Sequence, residues 1–266
     1  MHKELKKIIA AFIQFSRLPI RANTLDQQLF DQSATYLPLV GLVIGCIGAL
    51  AFCLTNIYFD ATIAAIVSIT VTCAVTGAIH EDGFADCCDG LFGGYTPEKR
   101  LQIMKDSRVG TFGVMGLILL TLLKVQLISG LGEHTVIALI TTHVLARIVP
   151  LWIMQLSKYV RSSVNTESET LTNTGTANED TYTAKMTNTI ATQPIFASRV
   201  TIAALVIALI LFSTPLVATM LAILTVSTLL LNLLFRQKLG GYNGDCLGAS
   251  EQVGEVIVLM IFAAYW

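Results

Sequence analysis

The chain has 266 residues, of which 54% are hydrophobic and 13% charged, and its formal net charge is −1. A soluble domain carries about 25% charged residues, so this composition excludes an ordinary water-soluble fold, and apolar runs of about twenty residues place the chain in a bilayer. Near-neutral charge excludes a nucleic-acid partner held by a basic face, which leaves membrane lipids and a small polar substrate as expected partners.

The six cysteines (Cys46, Cys53, Cys73, Cys87, Cys88, Cys246) lack zinc-site spacing. Three sit in apolar runs and read as small hydrophobes, so no disulfide framework is expected.

Residues 1–36 read as an N-terminal interfacial segment. Met1 to Lys7 is basic, and the apolar stretch Ile8 to Phe15 is short. Arg17-Leu18-Pro19-Ile20-Arg21 follows where a signal peptide would carry small residues. An amphipathic helix lying on the membrane surface fits better. The first span is predicted over Leu37 to Phe59. Its Gly41, Gly45 and Gly48 permit close helix approach, either within the chain or against a second copy in a homo-oligomer. Asp60 turns the chain into a second span, Ala61 to Ile79.

Residues 80–108 form the first polar motif loop. It begins His80-Glu81-Asp82-Gly83-Phe84-Ala85-Asp86-Cys87-Cys88-Asp89-Gly90 and ends in Lys105-Asp106-Ser107-Arg108. Glu81, Asp82, Asp86, Asp89, Glu98 and Asp106 all fall in it. If the first part is helical, Asp82, Asp86 and Asp89 share one face. Carboxylates that close repel one another and call for a cation, and a hard divalent ion such as Mg²⁺ suits all-oxygen ligands. The plainer alternative is a solvated acidic face. Gly83, Gly90 and the neighbouring Lys-Asp-Ser-Arg run favour a site. Thr96-Pro97-Glu98 starts a short helix, with Thr as cap and Pro in the first turn.

The third span is predicted over Val109 to Ile128 and the fourth over Thr135 to Leu156. Residues 157–194 read as a polar cytoplasmic loop, rich in Ser, Thr and Asn as far as Thr192. The fifth span runs from Ile195 to Phe212 and the sixth from Leu216 to Phe235. Residues 236–252 form a second motif loop containing Leu239-Gly240-Gly241-Tyr242-Asn243-Gly244-Asp245-Cys246-Leu247-Gly248-Ala249. Val253 to Trp266 reads as a short seventh span or a re-entrant segment.

Basic residues alternate between loops. Lys3, Lys6, Lys7, Arg17 and Arg21 precede the first span; Lys99, Arg100, Lys105 and Arg108 follow the second; Lys158, Arg161, Lys185 and Arg199 follow the fourth; Arg236 and Lys238 follow the sixth. The loops near Asp60, Gly132 and Pro215 carry none. This predicts a single all-α domain over 1–266, a polytopic membrane bundle of six to seven transmembrane helices, with the N-terminus and both motif loops in the cytoplasm. Lys124 and Arg147 remain inside spans, and an intramembrane charge is a functional candidate unless it only forms a structural ion pair. His80 could bind an anion or a base, or be satisfied by backbone; His143 reads as a core hydrogen-bonder.

Carboxylates beside Lys105, Arg108 and glycine-rich turns suit a metal-assisted reaction of a phosphorylated substrate. Gly241 lets backbone approach phosphate closely, and Asp245 adds a carboxylate to the second interval. The chemistry suggests a membrane transferase using an activated diphosphate, with an alcohol attacking one phosphorus and a nucleoside monophosphate leaving. No P-loop occurs, so ATP hydrolysis is not supported. A transporter is the rival class, but its charges belong at mid-membrane and no inverted repeat is evident.

Three motifs carry a family resemblance: His80-Glu81-Asp82-Gly83-x-Ala85-Asp86-x-x-Asp89-Gly90; Ile103-Met104-Lys105-Asp106-Ser107-Arg108-x-Gly110-Thr111-Phe112-Gly113; and Leu239-Gly240-Gly241-x-x-Gly244-Asp245-x-Leu247-Gly248-Ala249. Together with Phe15-x-Arg17-Leu18-Pro19 and Pro38-Leu39-Val40-Gly41, they make the whole chain resemble the cobalamin synthase family, the adenosylcobinamide-GDP ribazoletransferases of bacteria and archaea. That resemblance implies an Mg²⁺-dependent enzyme of the prokaryotic inner membrane. It would join adenosylcobinamide-GDP to α-ribazole or its 5′-phosphate and release GMP. By similarity of logic to the CDP-alcohol phosphotransferases, Asp82, Asp86, Asp89 and Asp106 would hold metal. Lys105, Arg108 and Arg147 would hold phosphate, with His80, Gly241 and Asp245 also facing substrate. Glu81 or Asp89 would deprotonate the ribazole 3′-hydroxyl. A CDP-alcohol phosphotransferase proper is the alternative, but Asp86 after Ala85 departs from that family's Ala-Arg. The Ser157–Thr192 stretch departs from the cobalamin synthase pattern.

Overall fold

A computed structural model describes residues 3–20, 25–160 and 213–266. Nearly all of the described chain is helical. The β pairing among the described residues is one parallel bridge, Tyr159 to Tyr242. The predicted fifth span and most of the predicted 157–194 loop lie outside the described residues.

α1 (Lys3–Phe15) buries Ala10 and Ala11, and Ala11 packs against Val40 and Ile44 of α3 (Leu37–Asn56). Between them lie α2 (Gln27–Asp31) and a 3₁₀ turn, Ser33–Tyr36. The glycines of α3 face inward. A Cβ on Gly41 would stand 2.1 Å from the His143 carbonyl oxygen, and one on Gly45 would stand 2.8 Å from Ile140 Cα. Close approach is therefore used within the chain, against α8 (Thr135–Ala146).

Asp60 caps α4 (Ala61–Thr76), accepting from the Thr62 and Ile63 N–H groups at 2.8 and 3.1 Å. Gly77 (φ 71°) and Ala78 (φ 54°) then take left-handed conformations in succession. The chain turns by 93° into α5 (Ile79–Gly93). Gly77 is needed twice over: its φ suits glycine, and a Cβ there would meet Arg17 Nε at 2.5 Å. The Arg17 N–H donates to Val75 O at 2.6 Å, so the N-terminal segment is pegged into the bend.

α6 (Pro97–Met104) and α7 (Thr111–Gly130) follow. α8 stops at Arg147 and α9 (Ile148–Leu156) resumes immediately. Pro150 explains the break, because it has no N–H to give the Ala146 carbonyl. After the undescribed stretch come α10 (Thr214–Leu239) and α11 (Gly244–Tyr265). α11 is the central element and packs on α5, α7, α8, α9 and α10.

The first motif interval is not loop throughout: α5 takes up its first half, and the short helix expected from Thr96-Pro97-Glu98 is α6. The C-terminal segment is not a fourteen-residue remnant, because the second interval enters the helix at Gly244 and lengthens it to 22 residues. Asn243 caps that helix on the Cys246 N–H at 3.0 Å, which is why it starts there.

Among the described residues, five helical stretches are long and apolar enough to cross a membrane: Ser33–Asn56, Thr111–Gly130, Gly132–Leu156, Thr214–Leu239 and Gly244–Tyr265. The bent pair α4–α5 would make a sixth. α7 and α10 expose Leu119, Leu122, Leu230 and Leu233, as a lipid-facing surface requires. The protein is an all-α, multi-pass membrane protein.

Candidate active site

The two motif intervals meet where α5 crosses α11. A Cβ on Gly83 would lie 3.0 Å from Asp245 Cα, and one on Gly248 would lie 3.1 Å from the His80 carbonyl oxygen. Only glycines let the two backbones come this close, and the contact aligns the first interval with the second. A cavity of about 730 Å³ opens beside the crossing. Its charged and titratable lining is Asp31, His80, Asp82, Lys105, Arg147, Asp245 and Glu251. Phe15, Phe30, Met104, Met154 and Tyr159 supply apolar wall. Gln14 and Asp31 bring the N-terminal segment to the rim, a contribution not anticipated from sequence.

The expected metal carboxylates divide into three settings. Asp82 lines the cavity, and Asp86 lies one turn further along α5. No hydrogen bond to either carboxylate is found among the described residues. Asp89 is buried, and both its oxygens are engaged: it accepts from the Gly110 N–H at 2.7 Å and the Gly113 N–H at 2.9 Å. It thus closes the N-terminus of α7, a turn that has no cap of its own. Asp106 lies outside the cavity, in the connection between α6 and α7. It pairs with Arg108 at 2.6 Å, and the bonds from Arg108 hold its carboxyl well below the ordinary range, at about 2.

Gly241 serves backbone packing. A Cβ there would strike Lys158 O at 2.2 Å, because the Tyr242 N–H donates to that carbonyl at 3.1 Å and the Val160 N–H donates to Tyr242 O at 2.8 Å. Asp245 accepts from Asn243 Nδ2 at 2.7 Å. Arg100 ties α6 to α10 by donating to Lys238 O at 3.0 Å.

Behind the cavity lies a buried ionic network that the sequence reading largely missed. Lys124 Nζ donates to Glu255 Oε2 and Gln252 Oε1, both at 2.5 Å. His143 Nδ1 is 2.6 Å from Glu255 Oε1. Arg147 Nη1 lies 3.0 Å from Glu251 Oε1 and 3.8 Å from Glu255 Oε1. Gln252 Nε2 donates to Glu251 Oε2 at 3.0 Å and to Glu81 Oε1 at 3.1 Å. His80 Nδ1 stands 3.6 Å from Glu251 Oε2. Lys124, Arg147, Glu251 and Glu255 are each at most 5% exposed. Charges so deeply buried persist only when paired. Glu251 and Glu255 are i,i+4 on α11, facing His143 and Arg147, which are i,i+4 at the end of α8. The missed signal was there: two acids one turn apart, Glu251 and Glu255, running into an apolar stretch.

His143, Glu251 and Glu255 offer ligand atoms within 4.8 Å of one another. Lys124 and Arg147 already supply two positive charges at that point, so a cation there would meet like charge. Asp82, on the cavity wall, with Asp86 one turn along the same helix, is a better match to a hard divalent ion.

A family model for cobalamin-5-phosphate synthase matches residues 7–263. An adenosylcobinamide-GDP ribazoletransferase of Shewanella sp. (strain W3-18-1) is 32% identical over 265 residues, covering 98% of this chain and 94% of the relative. Another so named, from Vibrio cholerae serotype O1 (strain ATCC 39315 / El Tor Inaba N16961), is 32% identical over 269 residues, covering 98% and 95%. No solved structure matches the chain.

Proposed function

The chain belongs to the cobalamin-5-phosphate synthase family, and on that premise we propose that it joins adenosylcobinamide-GDP to α-ribazole or α-ribazole 5′-phosphate, forming adenosylcobalamin or its phosphate and releasing GMP. One observation carries the reading: the α5–α11 crossing gathers Asp82, Lys105 and Asp245, drawn from all three motifs, around one cavity.

The acceptor hydroxyl attacks the cobinamide-bearing phosphorus of the donor. A new P–O bond forms, and the P–O bond to GMP breaks with its electron pair leaving on GMP. Asp82 and Asp86 would hold Mg²⁺, which when bound neutralises charge on the diphosphate. Lys105, on the cavity wall, is the first phosphate cation. Arg108 is the second, and it must exchange Asp106 for phosphate to serve. Arg147 already has its charge matched by Glu251 and Glu255, which makes it a weak phosphate cation. The apolar wall suits the flat base of the ribazole.

The distribution of Lys and Arg between alternate loops supports an inner-membrane enzyme with the site on the cytoplasmic side. The test is direct. Detergent-solubilised protein is incubated with adenosylcobinamide-GDP, α-ribazole 5′-phosphate and Mg²⁺, with an EDTA control, and corrinoid product and GMP are separated by chromatography. Equal amounts of both, dependent on metal, are expected. No product from detergent or lipid-reconstituted protein would overturn the reading.

A further inference from the structure

The rim of the cavity is chemically unlike its interior. It is built by the N-terminal segment: Gln14 and Phe15 at the end of α1, Phe30 and Asp31 at the end of α2. α2 turns Leu29 into the protein, where it is 6% exposed, and its Phe30–Asp31 side lines the cavity. All four rim residues are half-buried, so each is held by packing and keeps surface for a ligand. Ser33 is fully buried; its Oγ donates to Gln14 Oε1 at 2.8 Å and lies 2.7 Å from Phe30 O, which ties the end of α1 to α2. The rim is therefore a fixed part of the site.

Asp31 is out of place in a site for a diphosphate. Its carboxylate accepts hydrogen bonds and donates none, and it repels phosphate oxygens. The group it meets must therefore present N–H or O–H donors. Its neighbours in the lining, Phe15 and Phe30, call for that group to be flat and aromatic. Guanine meets both demands. Its N1–H and exocyclic 2-amine point the same way and match the two oxygens of one carboxylate. Adenine carries no N1–H, and the benzimidazole of ribazole carries no N–H donor at all. We propose that Asp31 reads the guanine of adenosylcobinamide-GDP, with Phe15 and Phe30 against the flat of the base. The inference takes its ligand from the reaction proposed above and deepens it. Guanine does not react, so contacts there position the diphosphate at Asp82 and Lys105 rather than take part in bond exchange. Met104, Met154 and Tyr159 remain as apolar wall for the acceptor.

The test measures binding of GMP, IMP and AMP to the detergent-solubilised protein with Mg²⁺, by equilibrium dialysis and without any corrinoid. The wild type should bind GMP about tenfold or more tighter than IMP, which lacks the 2-amine, and tighter still than AMP, which also lacks N1–H. Asp31→Asn should erase the preference for GMP over IMP and gain affinity for XMP. The asparagine Nδ2 amine donates to the 2-oxygen that xanthine carries in place of the guanine amine, and its Oδ1 still accepts from N1–H. Loss of folding does not produce that exchange. If Asp31→Asn fails to insert, Phe30→Ala decides: it should weaken GMP, IMP and AMP alike, by about tenfold, and unchanged affinities would overturn the inference. It is equally overturned if the wild type binds the three nucleotides equally. An Asp31→Asn protein that keeps the wild-type order also overturns it, and would put the carboxylate on a ribose hydroxyl or a corrin amide arm. Guanine selectivity through Asp31 in a protein that forms no cobalamin refutes the proposed reaction instead and leaves this contact standing.

Discussion

Replacing Asp89 by Asn separates two roles that the motif alone confounds. The carboxylate accepts from two backbone N–H groups, part-buried at Gly110 and buried at Gly113, at 2.7 and 2.9 Å. Hydrogen bonds to a charged acceptor contribute about 1.5–3 kcal/mol each. Asparagine keeps one acceptor oxygen and turns an NH₂ donor toward the other N–H. One bond is lost outright and the other loses its charge, for a destabilisation of about 2–4 kcal/mol. For a chain of this size that is a fall in Tm of about 4–10 °C. Thermal unfolding in detergent, followed by size-exclusion recovery or intrinsic fluorescence, reads it. Asp82→Asn, which breaks no protein hydrogen bond, should leave Tm within about 1 °C of wild type and abolish turnover. An Asp89→Asn enzyme with unchanged Tm and no activity would refute the capping argument and return Asp89 to the metal.

Further outcomes follow from the same geometry. Asp86→Asn should remove activity while membrane insertion persists, as read by product assay and fractionation. Lys124→Met leaves Glu255 short of its nearest cation and should cost about 3–5 kcal/mol; Lys124→Met with Glu255→Gln should recover much of that, measured as Tm. Gly248→Leu drives a side chain into the His80 backbone, with the Cβ already at 3.1 Å, and should abolish folding or turnover while Gly244→Ala, whose Cβ meets nothing within 4 Å, is tolerated. The Asp106 carboxyl lies below its ordinary 3.8, so its pairing with Arg108 is present above that value and is lost only as pH falls toward about 2. Asp106→Asn should therefore leave the shape of the pH–rate profile at neutral pH unchanged.

Much of the architecture was legible because bilayer burial demands long apolar helices, and α3, α7 and α10 follow their hydropathy closely. The bend at Gly77-Ala78 was not. It is set by two left-handed residues and the Arg17 peg, and Ile79 merely looked like the end of a span. The central helix was misread for a related reason. Asp245, Ser250, Glu251 and Gln252 make its start polar, so composition assigned the helix as far as residue 252 to a loop. What a composition window cannot register is that Lys124, His143 and Arg147, distant in sequence, neutralise Glu251 and Glu255 in the fold. Asp82 and Lys105 were identifiable from their motifs. Asp31 and Gln14 were not, because nothing local distinguishes them until the N-terminal segment folds over the cavity.

The dimensions of the cavity have a consequence for substrate tolerance. About 730 Å³ accommodates a nucleotide or a ribazole, in the range usual for small-molecule sites. A corrin macrocycle with its amide arms and axial adenosyl group is larger than the whole space. The ring must ride outside while its phosphate tether threads in, so recognition is concentrated on the tether and the acceptor. An enzyme built this way is indifferent to the far face of its cargo, and donors carrying cyanide or water in place of adenosyl should be processed at comparable rates.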